Sequence, residues 1–540
     1  MNVGTGIYQR FGVMLDCSRN AVLKVDTVKK WIDILQKMGY NVLELYTEDT
    51  YEVEGEPYFG YLRGRYLGAE IREMDAYAAA HGIELIPCIQ TLAHFTNPLK
   101  LPRFAEITDV NDILLIDEQK TYEFLDHIFA SLAKNFTSRN VNIGMDEAHM
   151  VGLGKYLDRH GYCDRFELLN RHVARVNEIG KKYGFSVQMW SDMYFRLAAK
   201  GDYCRRGIHI PQSVRERVPE NVSLVYWDYY HTEKEHYDMM IGAHCEFQRE
   251  LWFAGGAWTW TGFAPRTRFA YASLQAAMKS VRENGVKNVL ITAWGDDGGE
   301  CSHFSVLQIL YAARCYADGE YDCKKISEGF ENLFGVPARD WDLLELPDLL
   351  SNSIDFHKLC NASKYLLYAD PFLGIFDNVP NAFLSIPYGD YAERLAAAKS
   401  RAGEYAYLFD TEEKLCRLLE VKAYLGVRTR AVYRSGDKNA VAELIADYEQ
   451  AKKRAEEFYD AYARRWHREN KPFGFEVHCV RLGGLITRLD YCKKRLQAYA
   501  NGESIKIEEL EEDILPYYPS PDENEFWMGR YRNMISTCEL

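Results

Sequence analysis

The first 320 or so residues repeat one pattern, in which a short apolar run is followed by a loop and an amphipathic segment. The apolar runs are continuous and do not alternate with polar residues, as is typical of strands buried on both faces. The amphipathic segments have helical spacing, and several end in glycine, as the first does at Gly39. The runs lie at Phe11–Leu15, Asn41–Leu45, Ile83–Ile89, Asn140–Ile143, Ser186–Met189, Ser223–Tyr226, Leu251–Ala254 and Val289–Thr292. Eight β/α units of this kind predict a (β/α)8 TIM barrel.

A doubly wound sheet is the alternative α/β architecture. A doubly wound sheet needs no eighth unit. It often carries a glycine-rich phosphate loop after its first strand, but the corresponding segment here, DCSR at residues 16–19, contains no glycine. Beyond about residue 325 the strand-like runs give way to helical stretches at Glu412–Ala423, Asn439–Trp466 and Val477–Ala500. We therefore expect an α/β fold, with a TIM-barrel catalytic domain over 1–325 and an all-α C-terminal domain over 326–540.

Composition excludes several classes of protein. A net charge of -14 argues against a general nucleic-acid binder, which would need a basic face. The 13 cysteines include no CxxC pair, so we expect a reducing compartment and no disulfide framework. No apolar run approaches the length of a membrane span, and the N-terminal sequence lacks the features of a signal peptide. These observations predict a cytoplasmic protein with no nucleic-acid or membrane partner.

The fourth strand run leads into two adjacent carboxylates, Asp146 and Glu147. Catalytic groups of TIM barrels lie at the C-terminal ends of the strands, where an unused carboxylate pair would be costly. Adjacent residues of an extended segment point to opposite sides, so the two could take different roles, one protonated and one ionised. The alternative is an exposed Asp-Glu turn with no function.

Tryptophan follows each of the last four strand runs, at Trp190, Trp227, Trp258 and Trp294. One such tryptophan could be ordinary core, but four around one barrel mouth favour an aromatic box for a flat apolar face or a small methyl group. A ring next to a carboxylate, such as Trp294 with Asp296, suits a sugar, because the ring stacks on C–H faces while the carboxylate binds hydroxyls.

Three further strand ends carry polar candidates: Arg19 after the first run, Glu48 after the second and His94 after the third. Arginine is a multi-donor group suited to vicinal hydroxyls or carboxylates. The acidic loop around Asp296 lacks the residue order of a calcium loop, and the histidines near the strand ends lack the spacing of a three-ligand site. The sequence therefore predicts no metal and no cofactor.

Taken in order along residues 10–320, these residues resemble glycoside hydrolase family 20, the β-N-acetylhexosaminidases. The strongest element is GMDE at residues 144–147, which is similar to the family's G-x-D-E signature. Arg19, His94 and the WGD segment at residues 294–296 support it on the expected strands. The helical C-terminal module resembles that of compact bacterial members.

The resemblance implies an exo-acting enzyme that hydrolyses terminal β-linked GlcNAc or GalNAc with retention. The 2-acetamido oxygen of the substrate would attack the anomeric carbon and form an oxazolinium, an exception to the scheme with a protein nucleophile. Glu147 would protonate the leaving oxygen and then deprotonate water. Asp146 would accept a hydrogen bond from the acetamido N–H and stabilise the positive charge.

The resemblance also assigns binding roles. The aromatic box would clamp the acetamido methyl and the sugar face. Arg19 would bind the 3- and 4-hydroxyls, and Asp296 the 4- or 6-hydroxyl. His94 with Glu48 resembles the family's supporting dyad.

The sequence departs from the family pattern at several positions. Glu48 stands where the family usually has Asp, and Asp296 stands where Glu is common. The Tyr-x-Asp of the seventh strand is replaced by WTW at residues 258–260, which leaves Tyr229 or Tyr230 to bond the acetamido oxygen. The C-terminal module could complete the site or form a homodimer, and the sequence shows neither.

Two other functions remain open from the residues. A barrel glycosidase for non-acetylated β-glycosides would need a second catalytic carboxylate about 5 Å from Glu147, with Asp192 and Asp228 as candidates. A sugar-binding barrel without catalysis would not need the intact Asp146-Glu147 pair.

Overall fold

A computed structural model describes residues 7–349, 361–378, 386–517 and 530–538. Eight parallel strands close into a barrel, and two short strands form a separate antiparallel pair. The ten strands are β1 Arg10–Asp16, β2 Val42–Tyr46, β3 Glu84–Cys88, β4 Thr108–Val110, β5 Ile113–Leu114, β6 Asn140–Asn142, β7 Ser186–Trp190, β8 Ser223–Trp227, β9 Leu251–Gly256 and β10 Asn288–Ala293. The predicted TIM barrel is confirmed, and each predicted strand overlaps an observed one.

The barrel strands follow chain order around the ring, with β1 pairing with both β2 and β10. Their residues are almost all buried, because each strand has the packed interior on one face and helices on the other. The antiparallel pair of β4 and β5 was not predicted. It lies in the long connection between β3 and β6.

The helices in the barrel region are α1 Val25–Met38, α2 Gly68–Ala80, α3 Thr96–Leu99, α4 Gln119–Asn135, α5 Lys155–His160, α6 Arg165–Lys182, α7 Asp192–Ala198, α8 Gln212–Arg215, α9 Lys234–Cys245, α10 Thr267–Glu283 and α11 Leu307–Asp318. The first shows why these segments are helical. Val28, Trp31, Ile32 and Leu35 form one buried stripe at 3.6-residue spacing. Gly39 ends the helix at φ 80°, which glycine adopts at no steric cost.

The rest of the described chain is helical, as the sequence predicted. Its helices are α12 Cys323–Phe334, α13 Ala338–Trp341, α14 Ala362–Tyr368, α15 Tyr388–Lys399, α16 Ala406–Lys422, α17 Leu425–Ser435, α18 Lys438–Glu469, α19 Phe475–Ala500, α20 Glu508–Glu511 and α21 Arg532–Ile535. The long helix α18 buries Leu444, Tyr448, Phe458 and Trp466 along one face. It packs against α16 and α19.

The chain forms two compact units. The first comprises Met1–Ala257, Ala270–Ala293 and Leu310–Tyr321, and the second comprises Trp258–Phe269, Trp294–Ile309 and Asp322–Leu540. All eight barrel strands belong to the first unit. The domain boundary predicted at residues 325 and 326 stays a prediction.

Among the described residues, no helix is long and apolar enough to cross a membrane. No disulfide joins any of the cysteines in the described ranges.

Candidate active site

The segment after β6 carries the two adjacent carboxylates in a left-handed backbone conformation. Gly144, Met145 and Glu147 have φ of 73°, 72° and 53°. The sequence suggested an extended segment, with the carboxylates on opposite sides. A Cβ at Gly144 would clash with Gln90 Oε1, so only glycine leaves room for that amide. The tight turns bring both carboxylates, Asp146 and Glu147, to His94.

Asp146 is buried and held from two sides. Gln90 Nε2 donates to its Oδ1 at 2.7 Å, and His94 Nε2 lies 3.1 Å from its Oδ2. Burial alone would raise the pKa of Asp146, but the charge of His94 and the hydrogen bonds from His94 and Gln90 lower it below its usual value. Asp146 is therefore kept as a buried anion.

His94 links this carboxylate to a second one. Its Nδ1 lies 3.9 Å from Glu48 Oε1, and its backbone N–H donates to Asp112 Oδ2 at 3.2 Å, which holds the residue at φ 60°. Burial opposes protonation of the ring, but Asp146 and then Glu48 outweigh it and raise the pKa of His94 to about 9. The imidazole is accordingly a cation at neutral pH.

Arg19 and Glu48 continue the network. Arg19 Nη1 lies 3.4 Å from Glu48 Oε1, and its Nε lies 3.6 Å from Asp16 Oδ2. The Tyr46 hydroxyl donates to Glu48 Oε1 at 3.1 Å. Burial raises the pKa of Glu48, against the opposing charges of Arg19 and His94. Arg19, Glu48, His94 and Asp146 thus form a chain of contacts in which basic and acidic side chains alternate.

Glu147 is placed differently from its neighbour, because its side chain is 41% exposed. Its Oε2 lies 3.7 Å from His94 Nε2, and its Oε1 lies 3.4 Å from Arg196 Nη2. Its backbone N–H donates to Asp192 Oδ2 at 3.1 Å, and Arg196 Nε donates to the same oxygen at 2.9 Å. Burial first, then the charge of Asp146, raises the pKa of Asp192 to about 7.

Arg196 is a site residue that the sequence analysis missed. The only local signal was the four-residue spacing from Asp192, which places both side chains on one face of α7. Gln90 was missed as well, although it stands directly before the loop that carries His94. Arg196 and Gln90 each contact a carboxylate that follows a different strand, and a local sequence pattern cannot predict such a contact.

The predicted aromatic residues of the first unit lie at the ends of β7 and β8. Trp190 is fully buried, and Trp227 is partly exposed. The Tyr229 ring stacks on Trp227 with centroids 5.2 Å apart, and Tyr230 lies 5.9 Å from Tyr229. The Trp227 ring also contacts Tyr203, with centroids 4.8 Å apart, a neighbour that the sequence did not indicate.

Trp258, Trp294 and Asp296 belong to the second compact unit. There, Trp258 is fully buried and stacks on Trp260 with centroids 4.6 Å apart. Thr259 Oγ1 donates to the Trp294 carbonyl at 2.7 Å, which ties the two tryptophan-bearing segments together. Asp296 is exposed.

The loop after Trp294 is anchored within the same unit by buried ion pairs. Lys364 Nζ lies 2.7 Å from Glu300 Oε2 and 3.1 Å from Asp297 Oδ2. Arg481 contacts the same two carboxylates, with Nη1 3.0 Å from Glu300 Oε1 and Nη2 2.9 Å from Asp297 Oδ1. His478 Nε2 lies 2.8 Å from the Gly298 carbonyl oxygen. Helix α19 therefore fixes the loop that carries Asp296.

The arrangement supplies two carboxylates with different capacities. Asp146 is a fixed anion that can stabilise a positive charge near it. Glu147 is exposed and within reach of a ligand, so it can exchange a proton with one. The binding and catalytic roles assigned to the individual site residues stay predictions.

Comparison with known proteins matches both parts of the chain to one family. Residues 8–237 match the family model described as glycosyl hydrolase family 20, catalytic domain, and residues 340–528 match the glycoside hydrolase 20C C-terminal domain. The second match lies in the helical part of the chain.

Individual relatives are distant. A beta-hexosaminidase of Vibrio furnissii is 30% identical over 224 residues, which cover 34% of this chain and 36% of that protein. Human hexosaminidase D is 23% identical over 235 residues, which cover 42% of this chain and 46% of that protein. The chain thus spans less than half the length of either. An exo β-N-acetylglucosaminidase structure from Vibrio harveyi has a TM-score of 0.47 and 17% identity, and covers 61% of this chain and 58% of its own.

Proposed function

This chain belongs to glycoside hydrolase family 20, and from that membership we propose that it is an exo-acting β-N-acetylhexosaminidase. It removes terminal β-linked GlcNAc or GalNAc with retention, through the oxazolinium formed by the substrate's own acetamido group. The observation that carries the proposal is the unequal carboxylate pair. Asp146 is buried and paired with His94 at 3.1 Å, whereas Glu147 is open to solvent.

In this mechanism Glu147 protonates the leaving oxygen and later deprotonates the attacking water. Asp146 accepts a hydrogen bond from the acetamido N–H and offsets the charge of the oxazolinium. An attacking group already attached to the sugar has a high effective molarity, so the protein needs to orient it and stabilise charge, not to supply a nucleophile. The charge of His94 keeps Asp146 ionised throughout.

The two rival protein nucleophiles are poorly placed. Asp192 and Asp228 have fully buried side chains. Asp192 Oδ2 already accepts from the Glu147 backbone and from Arg196, and Asp228 is engaged by His231. A nucleophile has to reach the anomeric carbon, so this burial favours attack by the substrate over attack by either aspartate.

The substrate contacts are part of the same proposal. The partly exposed guanidinium of Arg19 binds the 3- and 4-hydroxyls, and Asp296 the 4- or 6-hydroxyl. On the barrel side the partly exposed Trp227 contributes to the aromatic box, and Tyr229 or Tyr230 bonds the acetamido oxygen. Trp190, Trp258 and Trp294 stay predicted members of that box. We further propose that the enzyme acts in the cytoplasm and without nucleic-acid partners, in line with its net charge and cysteines that form no disulfide in the described ranges.

The test is a matched panel of p-nitrophenyl β-glycosides of GlcNAc, GalNAc, glucose and galactose. Hydrolysis confined to the two acetamido sugars is expected, and faster turnover of glucose or galactose would instead require a protein nucleophile. Glu147→Gln should lower kcat by about 10²-fold or more for poor leaving groups, because it removes the general acid. Glu123→Gln, at an exposed glutamate of α4, is the control. Saturable sugar binding without turnover in the wild type would indicate a binding protein.

A further inference from the structure

Four side chains with metal-binding atoms converge beside β8, outside the carboxylate network. They are Cys204, Asp228, His231 and His236, called here the Cys204 cluster, and one ligand atom from each lies within 4.8 Å of the others. All four belong to the first compact unit. The proposed glycosidase mechanism uses none of them.

The separations within the Cys204 cluster suit a single ion at its centre. Asp228 Oδ2 lies 2.9 Å from His231 Nδ1, 3.4 Å from His236 Nε2 and 4.0 Å from Cys204 Sγ. Zinc bonds of ~2.0 to 2.3 Å in a tetrahedron place neighbouring ligand atoms about 3.3 to 3.8 Å apart. A small inward or outward adjustment of each side chain therefore completes the shell.

The two imidazoles of the cluster face the same carboxylate, that of Asp228. Their rings stack with centroids 3.4 Å apart and planes 9° apart, so both present a nitrogen to the same carboxylate. His236 is 5% exposed, and its Nε2 lies 3.4 Å from Asp228 Oδ2 without the geometry of a well-formed hydrogen bond. A buried ring nitrogen that makes only this loose contact and points into a group of ligand atoms is suited to bind a metal ion.

Two hydrogen bonds from outside the cluster orient the Asp228 carboxylate. The Tyr226 hydroxyl donates to Asp228 Oδ2 at 2.9 Å, and the Tyr230 backbone N–H donates to Oδ1 at 3.0 Å. Hydrogen bonds of this kind orient ligands in metal sites and are common around zinc. The His231 carbonyl also accepts from the Tyr237 hydroxyl, which fixes the turn between the two histidines.

We propose that Cys204, Asp228, His231 and His236 bind one structural Zn²⁺. One thiolate, one carboxylate and two neutral imidazoles form a Zn²⁺ donor set with four protein ligands and no open position. The bound charges sum to zero, which suits a largely buried site. Binding releases the thiol proton of Cys204 to solvent.

The ion would join two segments that carry substrate-facing residues. Cys204 follows Tyr203, which contacts Trp227, and Asp228 lies between Trp227 and Tyr229. Zinc would therefore fix the aromatic side of the proposed sugar site without touching the substrate. The sequence gives no local sign of the cluster, because Cys204 lies 24 residues from Asp228. The spacing of His231 and His236 does fall within the usual range for zinc ligands.

Metal content of the purified full chain tests the proposal. Elemental analysis by mass spectrometry should find about one Zn²⁺ per chain in the wild type. Cys204→Ser and His236→Ala should each lose most of it. Cys245→Ser and His209→Ala, at an exposed cysteine and an exposed histidine outside the cluster, should keep it.

A second readout guards against variants that fail to fold. Wild-type protein stripped with a chelator and titrated with Co²⁺ should develop tetrahedral d–d bands and a thiolate-to-cobalt charge-transfer band, and its thermal unfolding midpoint should rise. Cys204→Ser should lack the charge-transfer band. Wild-type protein without zinc and without a cobalt spectrum would overturn the proposal, as would zinc retained in both cluster variants. None of these readouts depends on glycosidase activity.

Discussion

The charge of Asp146 should control the protonation of His94, and Asp146→Asn tests this with little change in shape. In the wild type the pKa of His94 is raised from 6.5 to about 9. This difference corresponds to roughly 3 kcal/mol favouring the charged ring, at about 1.4 kcal/mol per pH unit. Asp146 at 3.1 Å is the largest favourable cause, and Glu48 at 3.9 Å is a smaller one.

Removing the negative charge leaves the burial of His94 in place, and burial favours the neutral ring. We therefore expect the pKa of His94 to fall to 6.5 or lower in Asp146→Asn. The assay is an NMR titration of histidine-labelled protein, with a His94→Gln spectrum to assign the resonance among the 14 histidines. Asp126→Asn, which removes the charge of an aspartate paired with Lys182, should leave the titration of His94 unchanged.

The same variant should lose transition-state stabilisation. The loss of one preorganised electrostatic contact typically lowers kcat by ~10²- to 10³-fold, or ~2.7 to 4 kcal/mol. We expect a loss of this size on acetamido sugars. A histidine that still titrates near pH 9 in Asp146→Asn would refute the ion-pair reasoning, and near-normal turnover would refute the role of Asp146.

Two further predictions concern His94 and Gly144. The raised pKa of His94 means that its stabilising charge is fully present below pH 6.5 and is lost as pH rises through about 9. The pH profile of kcat/KM should therefore fall near pH 9, and a fall that persists in His94→Gln would assign it to another group. Gly144→Ala should lower the thermal unfolding midpoint and the activity, because its Cβ would meet Gln90 while φ is 73°. Gly161→Ala is the control, because Gly161 also has a positive φ but a Cβ there would meet no other atom. Both variants should carry backbone strain of ~1 kcal/mol or more, and only Gly144→Ala should lose activity. Equal activity in the two variants would contradict the steric argument.

The barrel was predictable because its signals are local. Each parallel strand is buried on both faces and so reads as a continuous apolar run, as Val289–Thr292 does within β10. For the charge network, the sequence predicted which residues follow the strands, but not which of them contact each other. The order of the network, with His94 between Glu48 and Asp146, depends on left-handed backbone at four non-glycine residues, Glu48, His94, Met145 and Glu147.

Other features depend on residues far apart in the chain. Arg196 reaches Glu147 from a different β/α unit, 49 residues away. The Cys204 cluster joins two loops that no single sequence window contains. Such contacts are set by the closure of the barrel, and a pattern within one unit cannot encode the distance to another.

The second compact unit has a consequence for how such a protein can change over time. It includes the segments Trp258–Phe269 and Trp294–Ile309, which lie within the β/α part of the sequence. The loop at Asp297 and Glu300 depends on Lys364 and Arg481 for its charge balance. If the helical region were replaced by that of a relative, these carboxylates would lose their ion-pair partners unless the new region also carried cations at the positions of Lys364 and Arg481. We therefore expect the loop at Asp297 and Glu300 and the helical region to change together in evolution.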